Sequence, residues 1–71
     1  MALYKTPGLR PLREQQFLTQ TDLAQRSGVA QSTISDLETN FRWAQRDTVK
    51  RLAEALGVRP IELTRASEVR S

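Results

Sequence analysis

The 71-residue sequence contains no cysteine and no histidine. Their absence excludes disulfide bonds, the usual zinc sites, cysteine nucleophiles and acid–base catalysis by histidine. A chain of this length is near the lower size limit for independent folding, where covalent or metal staples are common. We therefore expect efficient helix packing, with or without dimerisation, to supply the stability.

Long apolar runs and a strong charge are missing as well. No apolar segment approaches the length of a membrane span, and residues 1–10 lack the core of a signal peptide. We therefore expect a cytoplasmic protein with no membrane partner. Eleven lysines and arginines against eight acidic residues leave a net charge of +3. This excess is compatible with nucleic-acid binding and equally with an ordinary basic surface.

Apolar residues recur at helical spacing in five segments, and there is no strand pattern, which predicts an all-α fold. The predicted helices span 9–16, 20–27, 31–38, 46–56 and 60–65; they form one domain at 9–65, between an arm at 1–8 and a tail at 66–71. Phe17 continues the apolar spacing of the first helix. Thr19 is expected to cap the second helix together with Asp22, and Gly28 is expected to end it in a left-handed conformation.

The strongest functional signal lies in residues 20–37. A small residue at Ala24 lets two helices approach closely, and Gly28 permits a sharp turn between them. Three aliphatic residues then fill the core that the helices share: Val29, Ile34 and Leu37. The polar residues of 31–36 are left facing outward, on a helix that fits the major groove of DNA. The alternative is an ordinary helical hairpin, which uses the same residue types.

The stretch LREQQFLTQTDLAQRSGVAQSTISDLETN, followed by DTVKRLAEALGV, resembles the helix-turn-helix domains of the phage repressor and Cro class, also called Xre-like regulators. The resemblance extends from Leu9 to Leu63. It implies a compact five-helix, lambda-repressor-like domain in which the third helix is the recognition helix. It also implies sequence-specific binding of double-stranded DNA by a transcriptional regulator, in the first place a repressor.

The resemblance assigns roles to single residues. Gln20, at the start of the second helix, would bind a phosphate. Gln31 and Ser32 stand where relatives contact bases, and a glutamine can bind adenine through two hydrogen bonds. Thr33 and Ser35 would reach bases or phosphates. The residues expected at the DNA interface are Thr19, Gln20, Gln31, Ser32, Thr33, Ser35, Asp36, Arg42 and Arg46.

Two positions depart from the family pattern. Phosphates would repel the carboxylate of Asp36, which can accept a hydrogen bond from cytosine, pair with an arginine or point away; we expect pairing or exclusion. In the loop 39–45, Asn40 stands where relatives often have glycine, and we expect it to be left-handed. Arg42 and Arg46 are then phosphate ligands. The loop aromatics, Phe41 and Trp43, are expected to cover the core.

The resemblance also implies an ion pair between Arg13 and Glu38. Such a pair would tie the first helix to the end of the third through two parallel hydrogen bonds. It would hold the recognition helix at a fixed angle.

Other functions fit the sequence less well. The main alternative is a protein-interaction module of the same fold, antitoxin-like or coactivator-like, that does not read DNA. RNA binding is disfavoured because no sheet carries stacking aromatics. We expect no enzyme activity, cofactor, metal or small-molecule substrate. A homodimer is expected through the last two helices and the tail, around Val58, Pro60 and Ile61, unless the chain is part of a longer regulator.

Overall fold

The computed structural model describes residues 3–40 and 42–64, which form five helices and one small sheet. The elements in chain order are β1 (Leu3–Tyr4), α1 (Leu9–Gln15), α2 (Gln20–Ser27), α3 (Gln31–Thr39), β2 (Ala44–Gln45), α4 (Arg46–Leu56) and α5 (Pro60–Thr64). The five predicted helices are confirmed, with ends that move by a residue. The predicted extension of the last helix to Arg65 and the tail at 66–71 lie outside the described residues.

A single apolar core lies between the helices. One side of α4 is buried, and this helix packs against α2 and α5. The buried apolar side chains are Leu9, Leu23, Val29, Ile34, Leu37, Ala44, Val49, Leu52, Ala53, Leu56 and Leu63. Every helix contributes to this set. The largest share comes from α4, so this helix lies at the centre of the core and the other helices pack around it. In the described part of the chain, the helices are all too short or too polar to span a bilayer.

The described part of the predicted N-terminal arm, residues 3–8, packs against the helical domain and contains the strand at Leu3 and Tyr4. The strand β1 pairs with β2 in antiparallel fashion, with Leu3 opposite Gln45 and Tyr4 opposite Ala44. Residues 5–8 connect β1 to α1. In this segment, Gly8 N–H donates to the carbonyl of Leu63 in α5 at 2.8 Å. A two-residue strand is too short to show alternation, so the sequence carries no strand pattern here. The predicted all-α fold is confirmed, with this small sheet as a minor addition.

The first helix ends earlier than its apolar spacing predicts. Phe17 lies beyond α1, its side chain is 93% exposed and its φ is +58°. The backbone N–H of Leu18 donates to the carbonyl of Arg13 at 3.2 Å, and that of Phe17 to Glu14 at 3.0 Å. This pair of bonds is a Schellman ending, in which the left-handed position usually belongs to glycine. Phe17 therefore belongs to the surface and not to the core.

The boundaries of α2 follow the prediction. Asp22 N–H donates to Thr19 Oγ1 and Thr19 N–H donates to Asp22 Oδ2, both at 3.0 Å. Hydrogen bonds from the backbone and side chain of Thr19 hold the pKa of Asp22 below its usual value. Gly28 has a φ of +76° and ends the helix. The capping box and the glycine turn together set the two ends of α2.

The loop after α3 differs from its prediction. Asn40 has a φ of −103° and is not left-handed. The chain leaves the helix through two bonds to one carbonyl, that of Asp36, from the N–H groups of Asn40 at 2.9 Å and Arg42 at 3.3 Å. Trp43 is 55% exposed, with Lys5 Nζ 5.1 Å from the centre of its ring, so it covers the core only in part. Phe41 lies outside the described residues.

Replacing Phe17 by glycine is expected to raise the free energy of unfolding by about 1 kcal/mol, because glycine adopts the left-handed region without the steric cost of Cβ. The exposed ring has little packing to lose. Phe17→Ala is the matched control, since it removes the ring and keeps Cβ; we expect it to change stability by less than about 0.5 kcal/mol. Urea unfolding measures both variants. Equal midpoints for the two would contradict this interpretation.

Candidate nucleic-acid interface

The turn between α2 and α3 presents one side of α3 to solvent. Residues 28–30 connect the two helices, and Val29 is buried in the turn. Ile34 and Leu37 of α3 are buried as well. Because helical residues repeat every 3.6 positions, Ser32 and Asp36 lie on the side opposite these two. The packed side of α3 fixes the position of the helix, and its polar side is left accessible to a ligand.

Four of the predicted DNA-contacting residues lie on or next to this polar side: Gln31, Ser32, Ser35 and Asp36. Thr33 is one turn before Leu37 and lies at the edge of the packed side. Gln31 and Ser32 are exposed, while Thr33, Ser35 and Asp36 are half-buried. Gln31 and Ser35 are one turn apart, as are Ser32 and Asp36. The side chains therefore form two short rows of hydrogen-bonding groups along α3. Their contact with bases stays a prediction.

A nearly buried hydrogen-bond network ties this helix to the rest of the fold. Glu38 Oε2 accepts from Arg13 Nε at 2.7 Å, and Glu38 Oε1 accepts from Arg13 Nη2 at 2.9 Å. The two side chains are 11% (Arg13) and 2% (Glu38) exposed. Arg13 Nη1 also donates to the carbonyl of Leu18 at 2.6 Å. The expected contact with two parallel hydrogen bonds is thus present, and it joins α1 to α3.

Gln20 is a third member of this network, which the sequence does not predict. Its Nε2 donates to Glu38 Oε1 at 3.0 Å, so the amide points towards α3. An amide nitrogen has two hydrogens, so the second can donate to another acceptor, such as a phosphate. The predicted phosphate contact of Gln20 therefore becomes linked to the position of Glu38. Gln20 and Glu38 are 18 positions apart, so no local sequence pattern indicates this contact.

The network changes the titration of its charged members. Burial alone raises the pKa of Glu38, but the hydrogen bonds from Arg13 and Gln20 outweigh burial and lower it overall. The hydrogen bond to Glu38 raises the pKa of Arg13. Both groups are therefore charged in the folded protein at neutral pH, which is the condition for a stable buried pair.

Asp36 pairs with an arginine, one of the two outcomes that we expect for it. Its Oδ2 lies 3.4 Å from Arg42 Nη1, and its Oδ1 accepts from Asn40 Nδ2 at 3.0 Å. The side chains of Asp36 and Arg42 are 42% and 59% exposed. The carboxylate therefore stays close to solvent while two side chains of the following loop turn back towards it.

The remaining predicted residues fall in separate places. Thr33 and Arg42 line one groove beside α3, together with Leu3 and Trp43. Arg46 lies in another groove, where Tyr4 and Ile61 also contribute. Thr19 is exposed, and its hydroxyl oxygen accepts the capping bond of α2. The structure thus places Arg42 beside α3 and Arg46 in a different groove.

Two helices joined by a short turn at Gly28, the second with one packed and one polar face, form the arrangement of a helix-turn-helix domain. The sequence profile of the family described as Helix-turn-helix matches residues 9–63, and the chain belongs to the phage repressor and Cro, or Xre-like, branch of this family. Membership and fold support a DNA-binding transcriptional regulator.

A solved structure is similar to this chain over most of its length. It is the restriction-modification controller protein C.AhdI from Aeromonas hydrophila, with 36% sequence identity and a TM-score of 0.73. The alignment covers 78% of this chain and 83% of that one. No curated protein matches the chain. The shared fold agrees with the five-helix domain described above.

Removing one partner of the Arg13–Glu38 pair is expected to cost more than exchanging both. Glu38→Leu leaves a guanidinium without its buried carboxylate, and such losses cost about 3–5 kcal/mol. Adding Arg13→Met removes the unpaired charge, so the double variant should be more stable than the sum of the two single losses by at least about 1 kcal/mol. Urea unfolding provides the four values.

The exposed Arg10–Glu14 pair is the matched control, because it joins the same two residue types, with its atoms 3.0 Å apart, but lies in solvent. The same cycle on this pair should give less than about 0.5 kcal/mol. Additive losses at Arg13 and Glu38 would show that the network does not stabilise the fold as a unit.

Acid is expected to weaken the fold partly through Glu38. Its carboxyl titrates near 4.5 when unperturbed and lower in the folded chain. The stabilisation is complete above the unfolded-state pKa and is lost as the pH falls through the folded-state pKa. Glu38→Gln cannot titrate there, so its unfolding free energy should fall less between about pH 5 and pH 3 than that of the unaltered chain. Parallel pH curves would contradict this assignment.

Proposed function

We propose that this chain is a sequence-specific repressor that places α3 in the major groove of double-stranded DNA. The observation that carries the proposal is the division of α3 into two faces. Ile34 and Leu37 are buried, while the polar face is held outside the core by a turn and an ion pair. A helix fixed in this way presents the same side chains to every duplex, as base reading requires.

Gln31 is the first choice for direct readout. It is exposed and is the first residue of α3. The N-terminal residues of a recognition helix are usually the ones that contact base edges in the groove. Its amide can donate and accept simultaneously on an adenine edge. Ser32 and Ser35 extend the contact along the groove, and Thr33 reaches a base or the neighbouring backbone.

Phosphate contacts orient the domain on the duplex. The first backbone N–H groups of α2 follow Thr19, and a helix N-terminus favours a phosphate through its dipole. Gln20 adds its second amide hydrogen while Glu38 holds the first. Arg42 supplies a positive charge next to α3, and Arg46 one on the α4 side.

The recognition helix itself does not supply the electrostatic attraction. Residues 31–39 contain Asp36 and Glu38 and neither lysine nor arginine. Glu38 is neutralised by Arg13, and Asp36 lies beside Arg42. Affinity must therefore come from cations on the neighbouring segments, and specificity from α3. This division is what we expect of a reader that binds random DNA weakly.

We further propose that the protein acts as a homodimer in the cytoplasm. A domain of this size reads few base pairs, and two copies on one duplex multiply affinity and specificity. The proposed contact lies on α5, where Pro60 and Ile61 are exposed next to half-buried Val58. Ile61 also lines the groove that Tyr4 and Val49 form with it. The tail, which the prediction includes in this surface, lies outside the described residues.

Selection of bound sequences from random duplex DNA at fixed salt tests the proposal. We expect a defined site, with two symmetric half-sites if the protein is a dimer. Gln31→Ala should relax the preference at one base pair of each half-site and cost about tenfold or more in affinity there. Gln15→Ala is the matched control, because Gln15 is an exposed glutamine on α1, outside the helix pair.

Three results would count against the proposal. Failure to bind any duplex at low salt would remove DNA binding altogether and favour a protein-interaction module. Binding without sequence preference would remove the reading role of α3. Equal effects of the Gln31 and Gln15 variants would remove Gln31 from the interface.

A further inference from the structure

Asp36 and Arg42 form an ion pair between α3 and the loop that follows it. The side chain of Arg42 turns back towards α3, where its Nη1 lies 3.4 Å from Asp36 Oδ2. Its backbone N–H also donates to the Asp36 carbonyl at 3.3 Å. An arginine in the loop after a recognition helix is well placed for a phosphate, but here its charge is shared with a carboxylate of the recognition helix itself.

The pair is weak enough to open on binding. Both side chains are substantially exposed, and exposed ion pairs contribute about 0–1 kcal/mol. Asn40 Nδ2 holds the other carboxylate oxygen at 3.0 Å, so Asp36 stays in place when Arg42 leaves. An arginine can therefore move away while the carboxylate keeps its position on the polar side of α3.

A lone carboxylate in the major groove is unfavourable, since it is repelled by phosphates and loses its hydration. One feature of DNA can compensate for it, which is the exocyclic amino group of a base. Cytosine N4 is the donor that aspartate and glutamate side chains accept from in the major groove. Asp36 can thus exchange one donor, Arg42, for another on the DNA.

We propose that Asp36 is a specificity-determining residue that couples base recognition to a phosphate contact. When a cytosine amino group donates to Asp36, Arg42 is released and binds a phosphate. When the base opposite Asp36 has no such donor, Arg42 stays paired with Asp36 and the phosphate contact is not made. This inference rests on the proposed function, because it requires α3 to lie in the major groove.

The coupling has a measurable electrostatic signature. Each phosphate that a cation neutralises changes the slope of log affinity against log salt concentration by about −0.9 on duplex DNA. Arg42 should therefore contribute to this slope on the selected duplex and not on a scrambled duplex. An arginine that simply binds phosphate contributes to both.

The experiment measures affinity against salt concentration for four proteins on both duplexes: the unaltered chain, Arg42→Ala, Asp36→Asn and the double variant. Arg42→Ala should reduce the slope by about one unit on the selected duplex and leave the scrambled duplex unchanged. Asp36→Asn frees Arg42, so it should tighten binding to the scrambled duplex about three- to tenfold and lose the preference for cytosine at one position. On that background, Arg42→Ala should now also reduce the scrambled slope.

Matched controls come from the exposed Arg10–Glu14 pair of α1. Glu14→Gln makes the same charge change as Asp36→Asn and should affect both duplexes equally. Arg10→Ala controls in the same way for loss of one arginine. Circular dichroism and unfolding midpoints show that all variants keep the fold, since each altered side chain is exposed or half-buried.

The inference is overturned if Arg42→Ala lowers the slope equally on both duplexes, because Arg42 is then an ordinary phosphate ligand. It is also overturned if Asp36→Asn behaves like Glu14→Gln on both duplexes. A selected site without cytosine opposite Asp36 would overturn it while leaving the proposed function intact. If the unaltered chain binds no duplex at low salt, the proposed function itself fails, which is a different result.

Discussion

The orientation of α3 depends on one nearly buried ion pair. Arg13 and Glu38 meet through two hydrogen bonds, and Gln20 adds a third to the same carboxylate. Charges removed from water cost free energy unless their hydrogen bonds are satisfied, so the pair tolerates little change in geometry. Because the three residues lie on α1, α2 and α3, that geometry fixes how the helices sit relative to one another.

Because of this constraint, the residues that hold α3 in place are different from the residues on its polar side. The side of α3 that carries Ile34, Leu37 and Glu38 is committed to packing, so its other side is free to vary without disturbing the fold. Asp36 lies on that other side, next to a short loop that carries Arg42 and Trp43. The strand β1 holds this loop through its pairing with β2, so the N-terminal segment also supports the surroundings of α3.

Much of the fold could be predicted from local rules. Helical spacing locates all five helices, and the Thr19–Asp22 capping box and Gly28 locate both ends of α2, because each rule depends on neighbouring residues only. The ion pair came from resemblance and not from spacing, since its partners are far apart in the chain. The choice of α3 residues for DNA contact has the same origin, and it stays a prediction.

The sequence by itself determined the elements that short-range physics controls: the helices, their caps and the polar stripe of α3. Only the tertiary structure decided the pairing of β1 with β2 and the partners of Gln20 and Arg42. It also decided that Phe17 is left-handed and that Asn40 is not. The reason is physical. Each of these depends on which surfaces meet after the helices pack, and apolar spacing along a chain says which side of a helix is buried but not what lies against it.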